Sequence, residues 1–284
     1  MMCTAPRIPG TQLPMSDSLR VASATFIRDM WTASSYRIGF LLRIGGGLAG
    51  ILGIYFLSEA FGDDLAAPIA RYGGDYFGFA IIGIAVANFM GVGLTGIASR
   101  IREGQTMGTI ELMLLSPNRL GVLLLSSSLW NLAFAAVTLV LYLLASVPLG
   151  ADLGEVNLPM AVLSLAVATL AFAGLGLLSG SVVILIKQGN PVSLLVGVVS
   201  GLVAGVLYPT TVLPGWLQAV ANVLPLTHAL ELARRSILGG EGIETLWGPF
   251  LWLLALTVVF LVAGLWACGT AVRIAQTDGS LSEY

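Results

Sequence analysis

The chain has 284 residues, 57% of them hydrophobic and only 10% charged, with a formal net charge of −2. Soluble domains carry about 25% charged residues, so a mean hydropathy of +0.93 calls for a lipid solvent rather than water, and a near-neutral chain offers nothing to a nucleic acid. The two cysteines, Cys3 and Cys268, stand far apart in unlike settings, which argues against a disulfide or a metal site.

Residues 1–15, MMCTAPRIPGTQLPM, lack the apolar core of a signal peptide and read as a disordered tail, with Met15 as an alternative start. Residues 16–284 read as a single membrane domain. Its first part, 16–36, opens on the cap signal Ser16, Asp17, Ser18. Leu19, Ala22, Phe26, Met30 and Ala33 then recur at helical spacing, with Arg20 and Arg28 off that stripe. This pattern predicts an amphipathic helix lying on a membrane face, acting as an anchor or as a contact for a partner.

Six stretches are apolar enough to cross a bilayer core of about 30 Å: about 38–58, 76–98, 120–147, 158–186, 192–208 and 247–271. The fifth is short for a full crossing. With the N-terminus inside, Arg7, Arg20, Arg28, Arg37, Arg100, Arg102, Arg119, Lys187 and Arg273 are cytoplasmic, while Arg71, Arg234 and Arg235 are outside. That bias follows the positive-inside rule, and Arg43 snorkels to the inner face. An even number of spans returns the C-terminus to the cytoplasm. Gly197, Gly201 and Gly205 repeat every four residues on the fifth span, as do Gly46 and Gly50 on the first and Gly176 and Gly180 on the fourth. Such faces let helix backbones approach closely, either within the chain or, through the first or fifth span, at a dimer seam.

The chemistry of catalysis is missing from the sequence. The single lysine, Lys187, is followed by Gln188, so no phosphate-binding Gly-Lys-Ser/Thr is present. Neither Gly-x-Ser-x-Gly nor His-Glu-x-x-His occurs. Carboxylates are absent from the span interiors, which argues against an ion-coupled transporter. The mid-span polar groups are Asn88, Thr95, Asn131, Thr138 and Thr169, read as helix-to-helix hydrogen bonders or as the lining of a path.

The densest charge inside the apolar region is SRIREGQTMGTIELMLLSPNRLG, residues 99–121. Thr109 can cap a short helix with Glu111 in its first turn, where the helix dipole favours an acid. Leu112 to Leu115 give it an apolar face and Pro117 ends it. Past the fifth span, Leu213, Trp216, Leu217, Val220, Val223 and Leu224 stay apolar while Pro209, Pro214 and Pro225 interrupt them. The stretch is too short to cross twice and predicts a re-entrant outer hairpin. His228, Glu231, Arg234 and Arg235 follow as a polar stripe in which Glu231 can pair with either arginine.

The run Arg102, Glu103, Gly108, Thr109, Ile110, Glu111, Ser116, Pro117 resembles the first cytoplasmic loop of ABC transporter permeases of the type-2 exporter class. The stretch Tyr208–Gly240, through Tyr208, Pro209, Leu213, Pro214, Trp216, Leu217, Leu224, Pro225, His228, Ala229 and Arg234, is similar to the outer hairpin of that class. The resemblance implies an all-α membrane protein of six transmembrane helices, with an N-terminal interfacial helix and a re-entrant outer hairpin between helices 5 and 6. It implies a permease subunit of an exporter in a bacterial or archaeal inner membrane, with both termini cytoplasmic, moving a drug, lipid or lipid-linked glycan outward. The chain itself would be no enzyme and carry no cofactor. ATP and Mg would sit on two copies of a separate ATPase subunit, which would bind at Arg102, Glu103, Gly108, Thr109, Glu111 and Leu112. The other implied partner is a second permease, identical or paralogous, at Gly197, Gly201 and Gly205. Trp216, His228, Glu231 and Arg234 are the candidates for an outer gate. A stand-alone secondary transporter or channel is the alternative reading.

Overall fold

The computed structural model describes residues 23–31, 37–72, 75–106, 120–186 and 190–277. Among them the chain is helical with no strand. Its helices are α1 (23–31), α2 (Arg37–Ile69), α3 (Tyr76–Thr106), α4 (Leu120–Ser146), α5 (Leu158–Ile186), α6 (Pro191–Val203), α7 (Gly215–Val223), α8 (Pro225–Ile237) and α9 (Ile243–Thr277). Single 3₁₀ turns follow α2 and α4 at Ala70–Tyr72 and Val147–Leu149, and another precedes α7 at Thr210–Val212.

Four stretches among the described residues are long and apolar enough to cross a membrane: Tyr76–Gly104, Leu129–Leu149, Leu158–Ile186 and Ile243–Ile274. They fall on the predicted second, third, fourth and sixth spans. Two shorter apolar helices, Gly45–Ala60 and Pro191–Val203, fall on the first and fifth. The predicted fifth span reaches residue 208, but its helix ends at Val203, after which the backbone turns at Gly205 with φ +84°. Of the predicted interfacial helix 16–36, residues 23–31 are described and are helical.

α5 is the central pillar, packed against α9 on one side and α3 on the other, with α8 across it; α4 lies on the far face of α3. Glycines set these crossings. A Cβ added at Gly174 would stand 2.5 Å from the Phe260 carbonyl carbon of α9, and one at Gly264 only 2.4 Å from the Gly174 oxygen. On the α3 side a Cβ at Gly176 would meet the Gly93 oxygen at 2.9 Å. Bare backbone is what allows these approaches, as expected where no hydrophobic effect drives helix association. The main core joins Ile82, Val86 and Met90 of α3, Ala168 and Phe172 of α5, and Leu230 and Leu232 of α8, all buried.

Two helix starts are fixed by side chains. Asp75 caps α3, its carboxylate accepting from the backbone N–H of Phe77 at 3.0 Å and of Gly78 at 2.9 Å. Asn190 caps α6 by accepting from the Ser193 N–H at 3.2 Å, and Pro191 takes the first helical position.

Candidate functional site

Three polar regions among the described residues bear on the predicted sites. At one end, α1 is tied to α3 and α4. Asp29, buried, accepts from Arg100 at 2.9 Å and from Arg28 at 2.9 Å. Arg100 also holds Glu103 at 3.2 Å, and Phe26 sets its ring edge-on against Trp130 at 5.5 Å. Arg102 and Glu103 are exposed on the last turns of α3 beside this junction. The other residues predicted for ATPase contact, Gly108, Thr109, Glu111 and Leu112, lie outside the described residues.

The opposite end is built around α8. Glu231 accepts from Arg71 at 3.2 Å, pairs with Arg235 at 3.7 Å and takes a hydrogen bond from the Tyr72 hydroxyl. Burial, with the Glu231 charge alongside, holds the Tyr72 phenol well above its ordinary range. Arg235 also binds Glu241, donating from Nε at 2.8 Å, and that hydrogen bond draws the Glu241 carboxyl below its usual value. His228 donates from Nε2 to the Asn222 carbonyl at 2.9 Å, and the same oxygen accepts from Trp252 Nε1 at 3.1 Å, so it ties α7 to α8 and α9. Trp216 is exposed on α7. Of the two possible partners for Glu231, the structure uses Arg235.

Arg234 is turned away from that cluster and buried. Its guanidinium donates to the carbonyls of Gly205 at 2.8 Å, Val206 at 2.6 Å and Phe79 at 3.2 Å, and it stacks on the Phe79 ring at 3.4 Å. Gly205 and Val206 belong to the irregular backbone after α6, whose carbonyls have no helical partner. A cation at that helix end also suits the dipole. Gly83 makes room for the arrangement, since a Cβ there would stand 2.1 Å from the Val206 oxygen. Burial draws the Arg234 guanidinium below its ordinary value. The seam glycines part company here. Gly197 and Gly201 face open space on α6, while Gly205 lies beyond the helix and is buried in the turn.

The third region is a cleft between α3 and α4 of about 360 Å³. Asn88, Thr95 and Ser99 line it from α3; Asn131, Thr138 and Tyr142 line it from α4. Both triplets have spacings of seven and four residues, so each stays on one helical face. Sequence reasoning named Asn88, Thr95, Asn131 and Thr138 but not the repeated spacing that brings them together, nor Ser99 and Tyr142. The fifth mid-span group, Thr169, goes elsewhere and bonds back to the Leu165 carbonyl of its own helix at 2.6 Å.

Comparison with known proteins gives two findings. Residues 69–266, well over half the chain, match the family described as ABC-2 family transporter protein. The chain is also 25% identical over 210 residues to the inner membrane transport permease YhhJ of Escherichia coli (strain K12), and to the protein of the same name in Shigella flexneri. These alignments cover 73% of this chain and 54% of each relative, so the chain spans about half the length of the curated relatives it matches.

Proposed function

The chain belongs to the ABC-2 family of transporter proteins, and from that premise we propose that it is the membrane-spanning permease subunit of an ATP-binding-cassette exporter in an inner membrane. It moves a hydrophobic or amphipathic cargo outward, driven by a separate ATPase subunit. The observation that carries this reading is the family match itself, which runs from the end of α2 into α9 and so takes in the whole α3–α8 core.

In this reading α2 and α6 join the four long helices to give six crossings, and α7 with α8 forms a re-entrant hairpin at the outer face. The arginine bias puts α1, the end of α3 and the start of α4 on the cytoplasmic side. The ATPase docks on Arg102, Glu103 and the segment that follows, Gly108, Thr109, Glu111 and Leu112. The Glu103–Arg100–Asp29 chain of ion pairs supports a route by which a push there reaches α1. Two permease copies meet along α6, where Gly197 and Gly201 leave the backbone open. Trp216, His228 and Glu231 stand at the outer mouth, and Arg234 braces the turn beneath them.

The test is co-purification. Arg102→Glu combined with Glu111→Arg should cut recovery of a co-expressed ATP-binding-cassette ATPase at least about tenfold, the equivalent of one to two lost charge-assisted contacts, with membrane insertion unchanged. Full recovery would remove the docking role. Transport that survives ATP depletion and fails with the proton gradient would favour a stand-alone transporter.

A further inference from the structure

Three hydroxyls of the α3–α4 cleft have their protons already committed. Thr95 donates its hydroxyl proton to the Gly91 carbonyl at 2.9 Å, Ser99 to Gly96 at 3.0 Å and Thr138 to Phe134 at 2.9 Å. Hydroxyls bonded back to their own helix this way turn only lone pairs toward the cleft. Asn88, Asn131 and Tyr142 have no side-chain hydrogen-bond partner among the described residues, although Tyr142 is buried against the bare backbone of Gly47. Among the described residues the lining contains no charged side chain. Phe89 and Phe134 supply flat apolar walls. The cleft runs from Ala85 to Ser99 along α3, about 21 Å at roughly 1.5 Å per residue, within a helix apolar enough to cross a membrane.

Two asparagines without partners at membrane depth are costly unless something satisfies them. The lone pairs of three hydroxyls ask for a donor. A cation would donate, but it would be desolvated with no carboxylate among the described lining residues to receive its charge; an anion would meet the acceptor lone pairs of three hydroxyls, with the asparagine amides as its main donors. We propose that this cleft binds an uncharged ligand rich in hydroxyl donors, a polyol or glycosyl group, with Asn88 and Asn131 as its two-way contacts and Phe89 and Phe134 against its C–H faces. The volume falls within the range of small-ligand pockets. In the orientation proposed above the cleft spans the middle of the bundle with Ser99 at its cytoplasmic end, so this inference rests on that reading for its side of entry, though not for its chemistry.

The test uses the full chain in phosphatidylcholine nanodiscs, labelled by a photoreactive alkyl glucoside and mapped by peptide mass spectrometry. Label should concentrate on the cleft faces of α3 and α4, and octyl glucoside should displace it while octyl sulfate does not. Displacement by free glucose at matched concentration assigns a soluble polyol, and resistance to it assigns a glycosylated amphiphile; either supports the site. Asn88→Leu with Asn131→Leu should cut cleft labelling about tenfold. The near-isosteric pair Thr95→Val with Thr138→Val should cut it about threefold with unfolding temperature retained; should the asparagine pair fail to fold, this pair decides. Label spread evenly over lipid-facing helices, equal displacement by octyl sulfate, label yield unmoved by the variants, or cross-linking of the asparagines to a second copy would each overturn the proposal. Labelling needs no ATPase, so loss of docking leaves this result standing, and loss of labelling leaves docking standing.

Discussion

Arg234 satisfies the Gly205 and Val206 carbonyls, which receive no backbone donor among the described residues, so its removal leaves both orphaned in a buried site. Arg234→Leu should therefore lower stability by about 3 kcal/mol or more, read as the unfolding transition in detergent. Arg234→Lys, which keeps the charge but loses the planar fork, should fall between. In the sequence Arg234 reads as part of a polar stripe with His228 and Glu231. The helical period holds a finer signal: Thr227, Leu230 and Arg234 are spaced by three and four and share the buried face, whereas His228, Glu231 and Arg235 share the outer one. What the sequence lacks is the pair of turn carbonyls of Gly205 and Val206, which are free to accept only because α6 ends early. His228 gives a pH test at the same scale. Burial pulls its imidazole below the ordinary value, against the Asn222 carbonyl and the Glu231 charge, which push it up. A depressed folded-state value means the unfolded chain takes up the proton first, so the stability His228 contributes is present above about pH 6.5 and is lost as pH falls below it. The unfolding temperature should drop between about pH 7 and about pH 5, and His228→Gln should flatten that part of the profile.

Glycine spacing at the level of helices divides into two kinds that the sequence alone writes identically. Gly176 and Gly180 of α5 press on α3, while Gly197 and Gly201 of α6 and Gly46 and Gly50 of α2 meet no neighbour among the described residues. The difference depends on which neighbour each face meets, and that is a tertiary fact no period encodes. The tightest crossing, Gly174 against Gly264, belongs to no four-residue repeat and gives no sequence signal. Gly174→Ala would drive a methyl into the Phe260 backbone and should cost about 2 kcal/mol or more. Gly197→Ala with Gly201→Ala should leave unfolding of the single chain within about 1 kcal/mol, since alanine is the better helix former. Enlarging the same two positions to leucine should convert a dimer to a monomer in light scattering if α6 forms the seam; a dimer that persists would move the seam elsewhere. Hydropathy made the long helices and the brevity of α6 readable, because both follow from apolar length. The α3–α4 cleft was half readable, in the matched spacings of Asn88 and Thr95 with Asn131 and Thr138.

Across the whole molecule, α3 fixes which ends share a side. Its start is joined to the far end of α4, because the Asp75 carboxylate that caps it also accepts from the Asp152 backbone N–H at 3.3 Å. Its last turns are joined to α1 by Arg100 and Asp29, and α1 also meets the first half of α4 through Phe26 and Trp130. An apolar stretch of 29 residues between these ends is about 43 Å long at roughly 1.5 Å per residue, enough to separate them by a full bilayer. A probe at Glu103 and a probe at Glu155, both exposed, must then react from opposite faces whichever way the chain inserts. With Cys3 and Cys268 replaced, Glu103→Cys should be modified by an impermeant maleimide in inverted vesicles and spared in whole cells, and Glu155→Cys the reverse. The positive-inside bias selects that outcome over its mirror image. If Glu103→Cys instead reacted on whole cells, the end of α3 would face outward, out of reach of a cytosolic ATPase, and the export mechanism proposed here would fail while the helix packing stood.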